Sequence, residues 1–300
     1  MLYNNLSGYL KTKYGARLKK ICIDGGFGCP NRDGKCGTGG CIYCGERGAG
    51  EHIDPCKSIA EQVRIALDSA KADEQFIAYF QNFTNTYAPI PVLKERYDSA
   101  LISDKIKVLA IGTRPDCIDD GVAELIASYK DRCDVWVELG LQTSSDITAK
   151  VINRGYTTDV YLRAVEILHR YGIPVVTHII IGLPGEGEKE VVETVKTVNS
   201  AGVWGVKIHS IYVMEGTALA DMYRRGEYTP PTLDEYVRLA TLAIGMLNED
   251  IIVHRITGDC PRDLLLAPEW NADKNKIISL IQSSLKKQGI KQGAIKNDEG

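Results

Sequence analysis

Six short apolar runs recur along the chain with stretches of helical periodicity between them, and this alternation limits the available folds more than any other feature. The runs are KKICID (19–24), FIAYFQ (76–81), IKVLAIGT (106–113), DVWVELGL (134–141), PVVTHIIIG (174–182) and GVKIHSIYV (205–213). Residues 158–171 place Val160, Ala164, Val165, Leu168 and Tyr171 on one helical face and stop at Gly172, with Pro174 beyond. Residues 186–201 repeat the pattern with Val191, Val195 and Val198. Strand and helix alternating at about 30 residues per unit imply parallel strands with right-handed crossovers. Six units predict an α/β fold, a partial (β/α)6 TIM-like barrel and not a closed eight. A basic segment (1–18) precedes this core (19–220), and a C-terminal helical extension (221–300) packs on it.

Side-chain alternation shows which strand face looks inward. In the fourth run Val135, Val137, Leu139 and Leu141 suit a layer of helices, which leaves Trp136, Glu138, Gly140 and Gln142 on the other face. In the sixth, Lys207 and His209 share a face with Ile211 and Val213. Buried polar groups need partners, so a lumen lined by Glu138, Gln142, Lys207 and His209 suggests a ligand inside. His178 either joins them or is satisfied by a neighbouring backbone carbonyl. Ligands in parallel barrels collect at the strands' C-terminal ends, where GTRPD (112–116) and GLPGE (182–186) lie. Gly182, Pro184 and Gly185 fit a tight turn that also admits close backbone approach.

Directly after the first run comes the glycine-rich loop CPNRDGKCGTGGCIYC, with eleven residues between Cys29 and the Cys41–Cys44 pair. A cubane cluster takes four ligands, so three thiolates would leave one iron open. The same residues also suit zinc, with Cys22, Cys36, His52 or Cys56 as the remaining ligand. Against zinc stands the lone upstream cysteine where a second CxxC pair is usual. Nine cysteines in a chain without an apolar leader argue for reduced thiols over a disulfide framework, and Cys117, Cys133 and Cys260 read as ordinary buried thiols.

A chain of 300 residues, 44% hydrophobic and 25% charged, buries one large core. No run approaches the roughly 18 apolar residues of a membrane span, and a cytoplasmic location is expected. Lys11, Lys13, Arg17, Lys19 and Lys20 precede the first acid, Asp24, and six lysines without an acid lie between Lys274 and Lys296. Both ends of an otherwise acidic chain are therefore basic, which suits either a solvated surface or phosphate binding.

Together, CPNRDG, CIYC, YFQNFTNTYAP, IGTRPDCI, VELGLQT, NRGYT, HIIIGLPGE and VMEGT, with HRITGD (254–259) and APEW (267–270) beyond, resemble the radical S-adenosylmethionine (SAM) superfamily. More narrowly they are similar to the bacterial YhcC/YtqA type, related to the radical SAM domain of the Elongator catalytic subunit. The resemblance implies one [4Fe–4S] cluster held by Cys29, Cys41 and Cys44, with SAM on the fourth iron. It implies reductive cleavage of SAM to a 5′-deoxyadenosyl radical, fed by an external one-electron donor.

By position, Tyr43 would border the adenine, and Glu138 and Gln142 would lie near the ribose and methionine. Gln81 closes Tyr79–Phe80–Gln81, where relatives carry Gly-Gly-Glu. Arg154 would pair with the SAM carboxylate, and backbone around Gly182 and Val213 would close on the adenine. His209 and Lys207 are the candidates for substrate contact or proton transfer. Cys22, Cys36 and Cys56 have no assigned role.

The likeness to Elongator implies a tRNA substrate modified at C5 of the wobble uridine. The acetyltransferase domain of Elongator has no room in the 80 or so residues after the last strand, so a separate enzyme would complete the modification. Tyr3, Tyr9 and Tyr14 stand among the basic N-terminal residues, where they either stack on bases or pack the segment along the barrel. The other readings are a radical SAM enzyme acting on a small molecule or a partner protein, and a non-catalytic iron–sulfur or zinc protein.

Overall fold

The computed structural model describes residues 2–48, 53 and 57–296. Strands β1 (Leu18–Ile23), β2 (Gln75–Phe80), β3 (Ile106–Thr113), β4 (Asp134–Gln142), β5 (Val175–Ile181) and β6 (Gly205–Ser210) pair in parallel, in chain order. The chain then leaves the sheet and forms a two-residue strand, β7 (Val213–Met214). A seventh member of the main sheet, β8 (Ile252–Arg255), joins parallel to β6 from within the extension. Finally β9 (Leu265–Ala267) pairs antiparallel with β7. The result is a curled half-barrel whose two edges are β1 and β8.

Two of the sequence expectations change here. The extension is not helical alone, because it completes the sheet. The sixth run is not one strand over 205–213, so Val213 does not continue the face of Lys207 and His209; it packs with Leu219 and Ala267 in a separate cluster.

The helices are α1 (Leu6–Tyr14), α2 (Ile59–Asp68), α3 (Ile90–Ala100), α4 (Asp120–Ala127), α5 (Asp146–Val151), α6 (Thr158–Arg170), α7 (Glu188–Ser200), α8 (Ala218–Arg224), α9 (Leu233–Met246) and α10 (Lys274–Gln288). Helix α6 buries Tyr161, Ala164, Val165 and Leu168, an i, i+3, i+4, i+7 stripe headed by Tyr161 and not by Val160. Helix α7 buries Val191, Val195 and Val198 as its periodicity requires. The outward faces of the strands, such as Val135, Val137, Leu139 and Leu141 of β4, meet these helices in the main core.

A second core lies inside the curl. Leu6 and Leu10 of α1 pack there with Ile77, Val108, Trp136 and Val176, so the N-terminal helix fills the lumen away from the strands' C-terminal ends. Asn5 caps α1 by accepting from Gly8 N at 2.9 Å and bridges to Val253 of β8. Tyr9 meets Trp204 edge-on at 5.3 Å and Tyr14 donates to Asp134. Those two tyrosines are therefore packing residues. Among the described residues, no helix is long and apolar enough to cross a membrane.

Candidate functional site

Side chains from the C-terminal ends of β2 to β6 and from the cysteine loop line one cavity. Cys29, Cys41 and Cys44 all face it, as do Tyr43, Gln81, Glu138, Gln142 and His209. Arg154, Gly182, Val213 and Lys207 do not line it. His52 and Cys56 lie outside the described residues, Cys22 is half-buried on β1, and Cys36 is exposed.

The cysteine loop is held by polar side chains that carried no signal in the sequence. Asn31 donates to Asn153 O at 2.6 Å, with the Cys41 sulfur 3.9 Å from the same amide. Asn153, in a left-handed conformation (φ 52°), donates in turn to Thr38 O and Gly40 O at 3.1 and 2.7 Å. Arg32 donates to Gly45 O at 2.6 Å and Glu46 O at 2.9 Å, and its guanidinium lies over the Phe83 ring. The loop thus gains its shape from fixed donors, although it has no regular structure of its own.

These residues fit an iron–sulfur group. A hydrogen bond from Cys44 brings the Cys41 thiol down to about 7 against the opposing effect of burial, and a thiolate is the form that binds metal. Sharing that proton, together with burial, pushes Cys44 well up. Among the described residues no three His, Cys, Asp or Glu side chains gather around a single-ion position. Three thiols line the cavity, a donor set that would leave one iron of a cubane cluster open.

Glu138 is the centre of a buried network in the lumen, 1% exposed. It accepts from Trp136 Nε1 at 3.1 Å, lies 2.8 Å from His178 Nε2, and pairs with Lys207. Burial opposes its charge, yet Lys207 and His178 hold the carboxyl well below the usual range. Burial, with the cations Lys20 and Arg255 nearby, draws Lys207 down to about 7 despite Glu138. His178 therefore belongs to the lumen network and has a carboxylate partner. Lys207 also donates to Tyr79 OH at 3.1 Å. His209 lies beside His178, its ring tilted at 43° with 5.2 Å between centroids; its Nε2 is buried without a partner among the described residues, and burial drives its pKa well below the ordinary value.

Arg154 is 1% exposed and fully engaged by the protein. It donates to Leu141 O at 2.5 Å, Thr143 O at 2.6 Å and Tyr156 O at 3.0 Å, with Asp146 at 3.2 Å. The arginines that do face the cavity are Arg32 of the cysteine loop and Arg114 of GTRPD, the latter clamped on Asp116 at 2.7 and 2.9 Å. Both guanidiniums lie 4.7 Å from the Tyr156 ring centroid. Gln142 ends β4 at a register shift with φ 65°, a conformation that costs energy in a non-glycine residue and is retained where the surroundings enforce it. Gly182 (φ 96°) packs where a Cβ would come within 2.8 Å of Pro231 and Ile211.

The Radical SAM superfamily model matches residues 26–198, and the Radical_SAM C-terminal domain model matches residues 203–287. The chain belongs to the radical SAM superfamily. This radical SAM protein is 38% identical over 295 residues to YtqA of Bacillus subtilis (strain 168), a match that covers 97% of the chain and 92% of YtqA. The tRNA uridine(34) acetyltransferase of Methanocaldococcus jannaschii is 28% identical over 187 residues, 61% of this chain and 33% of that protein. Among solved structures, the archaeal Methanocaldococcus infernus Elp3 lacking residues 1–46 superposes with a TM-score of 0.69 at 18% identity, over 92% of this chain and 64% of that one. At that identity the likeness is one of fold. The protein is an enzyme of the radical SAM class, whose cofactors are SAM and an iron–sulfur cluster.

Proposed function

We propose that this radical SAM enzyme modifies tRNA, at C5 of the wobble uridine, with Cys29, Cys41 and Cys44 holding one [4Fe–4S] cluster. The observation that carries the reading is the shared cavity, in which three thiols face Gln81, Glu138 and Gln142 from the strand ends of a superfamily half-barrel. The substrate class rests on the tRNA-acting relative, which matches 61% of the chain, and on the lysines of α10. When bound, the cluster and SAM supply one-electron hydrogen abstraction.

The chain's own residues shape and dry the site. Glu138 presents a fixed carboxylate because Lys207 and His178 hold it. Lys207 acts through Glu138, since it is 2% exposed and spent on Glu138 and Tyr79. His209 is the substrate-contact candidate: its unpartnered Nε2 offers one neutral hydrogen-bonding position at the cavity wall. Tyr43 borders the same wall between Cys41 and Cys44. Arg114, which lines the cavity together with Arg32, takes the place expected of Arg154. An external electron donor, and a separate enzyme to complete the modification, belong to this reading.

Anaerobic reconstitution with iron and sulfide, reduction with SAM, and assay for 5′-deoxyadenosine with and without unmodified tRNA test the proposal. Product that depends on Cys41 and is stimulated by tRNA is expected. Cysteine-dependent product indifferent to tRNA would move the substrate to a small molecule or partner protein, and absence of product from a protein loaded with iron would remove the radical reading.

A further inference from the structure

The half-barrel does not close, and its two free edges carry charge. Lys20 stands on β1 and Arg255 on β8, the strands that flank the open seam. Lys20 is accessible to solvent and has no ion pair among the described residues; its ammonium lies 5.5 Å from the Tyr79 ring centroid. Lys207 approaches the same ring at 4.4 Å. Arg255 has Asp259 at 3.7 Å, and Asp259 is shared with Lys274 at the start of α10. Glu138 is already taken by Lys207 and His178. Lys20, Arg255 and Lys274 are thus left with Asp259 as their carboxylate partner among the described residues, and positive charge is left over at the seam. Tyr79 separates the seam from the cavity, since its ring contacts both lysines and also lines the cavity wall.

Like charges gathered without counter-charge repel one another. An oxyanion between them relieves that repulsion and forms charge-assisted hydrogen bonds with arginine and lysine. The run from Lys274 through Asp259 and Arg255 to Lys20 gives such a group a basic path from α10 into the seam.

We propose that the seam between β1 and β8 is a phosphate subsite, in which Lys20 and Arg255 hold a phosphate of the substrate while its reacting part enters the cavity. This rests on the tRNA reading for the identity of the substrate, where the phosphate is the one beside the modified nucleotide. The subsite itself rests on the charge distribution alone.

The test uses full-length, cluster-loaded protein with SAM. Binding of uridine 5′-monophosphate, uridine and inorganic phosphate is measured by calorimetry for wild type, Lys20→Gln, Arg255→Gln and the double variant, with unmodified tRNA titrated in parallel. Uridine 5′-monophosphate is expected to bind at least tenfold more tightly than uridine, and inorganic phosphate to compete with it. Each single variant loses about tenfold and the double variant about a hundredfold, with unchanged circular dichroism and thermal midpoint. Equal binding of nucleotide and nucleoside, or full affinity in the double variant, overturns the subsite even if tRNA still binds. Variant-sensitive phosphate binding by a protein that does not bind tRNA keeps the subsite and overturns the tRNA reading instead.

Discussion

His178 Nε2 lies 2.8 Å from Glu138 Oε2, the same oxygen that receives the Lys207 ammonium, so one carboxylate ties β4, β5 and β6 together inside the lumen. Removing that carboxylate leaves a buried cation without its partner. Glu138→Gln is expected to lower stability by about 3–5 kcal/mol, measured by urea unfolding. Adding Lys207→Met should recover part of the loss, because the stranded charge is gone. A cost below about 1 kcal/mol would show that the network does not hold the strands.

Lys207 gives the network a pH dependence of known sign. Its value in the fold is about 7 against an ordinary 10.5, so between these two the unfolded chain carries a proton that the folded one lacks. Stability contributed at this residue therefore rises with pH from about 7 upward, by at most about 1.4 kcal/mol per unit. The stability difference between wild type and Lys207→Met, measured at pH 6, 7.5 and 9, should move in favour of wild type across the series. A flat difference would mean that Lys207 keeps its proton throughout.

Asn153 holds the cysteine loop through Thr38 O and Gly40 O. Asn153→Ala removes both bonds and places a less tolerant residue at φ 52°, at a cost of about 1–3 kcal/mol. Iron bound after reconstitution should fall, and its loss to a chelator should quicken. Retention equal to wild type would show that the loop holds its shape without Asn153.

Arg154 separates a structural from a ligand-binding role. Its donors go to the carbonyls of Leu141 and Thr143, a fork that lysine cannot reproduce. Arg154→Lys should lower the unfolding midpoint by several degrees, equivalent to about 2–3 kcal/mol. A variant of full stability that binds SAM weakly would instead restore Arg154 as the partner of the cofactor carboxylate.

Much of this architecture was legible because strands have a period of two. Alternation along β4 and β6 put Glu138 and Lys207 on the inner face before any coordinates. The strand β8 escaped notice because its four residues sit between α9 and a loop, outside the strand–helix rhythm that marked the other six. His178 was ambiguous for a different reason: its partner lies on β4, two residues before the Gly140 that stands opposite it, a cross-strand contact that counting along one strand does not reveal. Arg154 was carried to the cofactor by position. In the structure its donors go to three backbone carbonyls, which leave no trace in residue identity, and to Asp146. Arg114 was present in GTRPD, at a strand end where ligands collect, but nothing in the motif singled out its side chain as one that faces inward.

Leu2 O accepts from Gln292 N, Asn4 N donates to the Gln292 side chain, and Val253 N donates to Asn4 O. The helix that fills the lumen is therefore fastened by residues far along the chain. Asn4 and Gln292 are 288 residues apart, so on a ribosome the first six strands emerge well before the fastening of α1 is possible. The packing inside the curl is complete only after residue 292 has left the exit tunnel, so the strands that carry the site are made before the helix beneath them can be fastened.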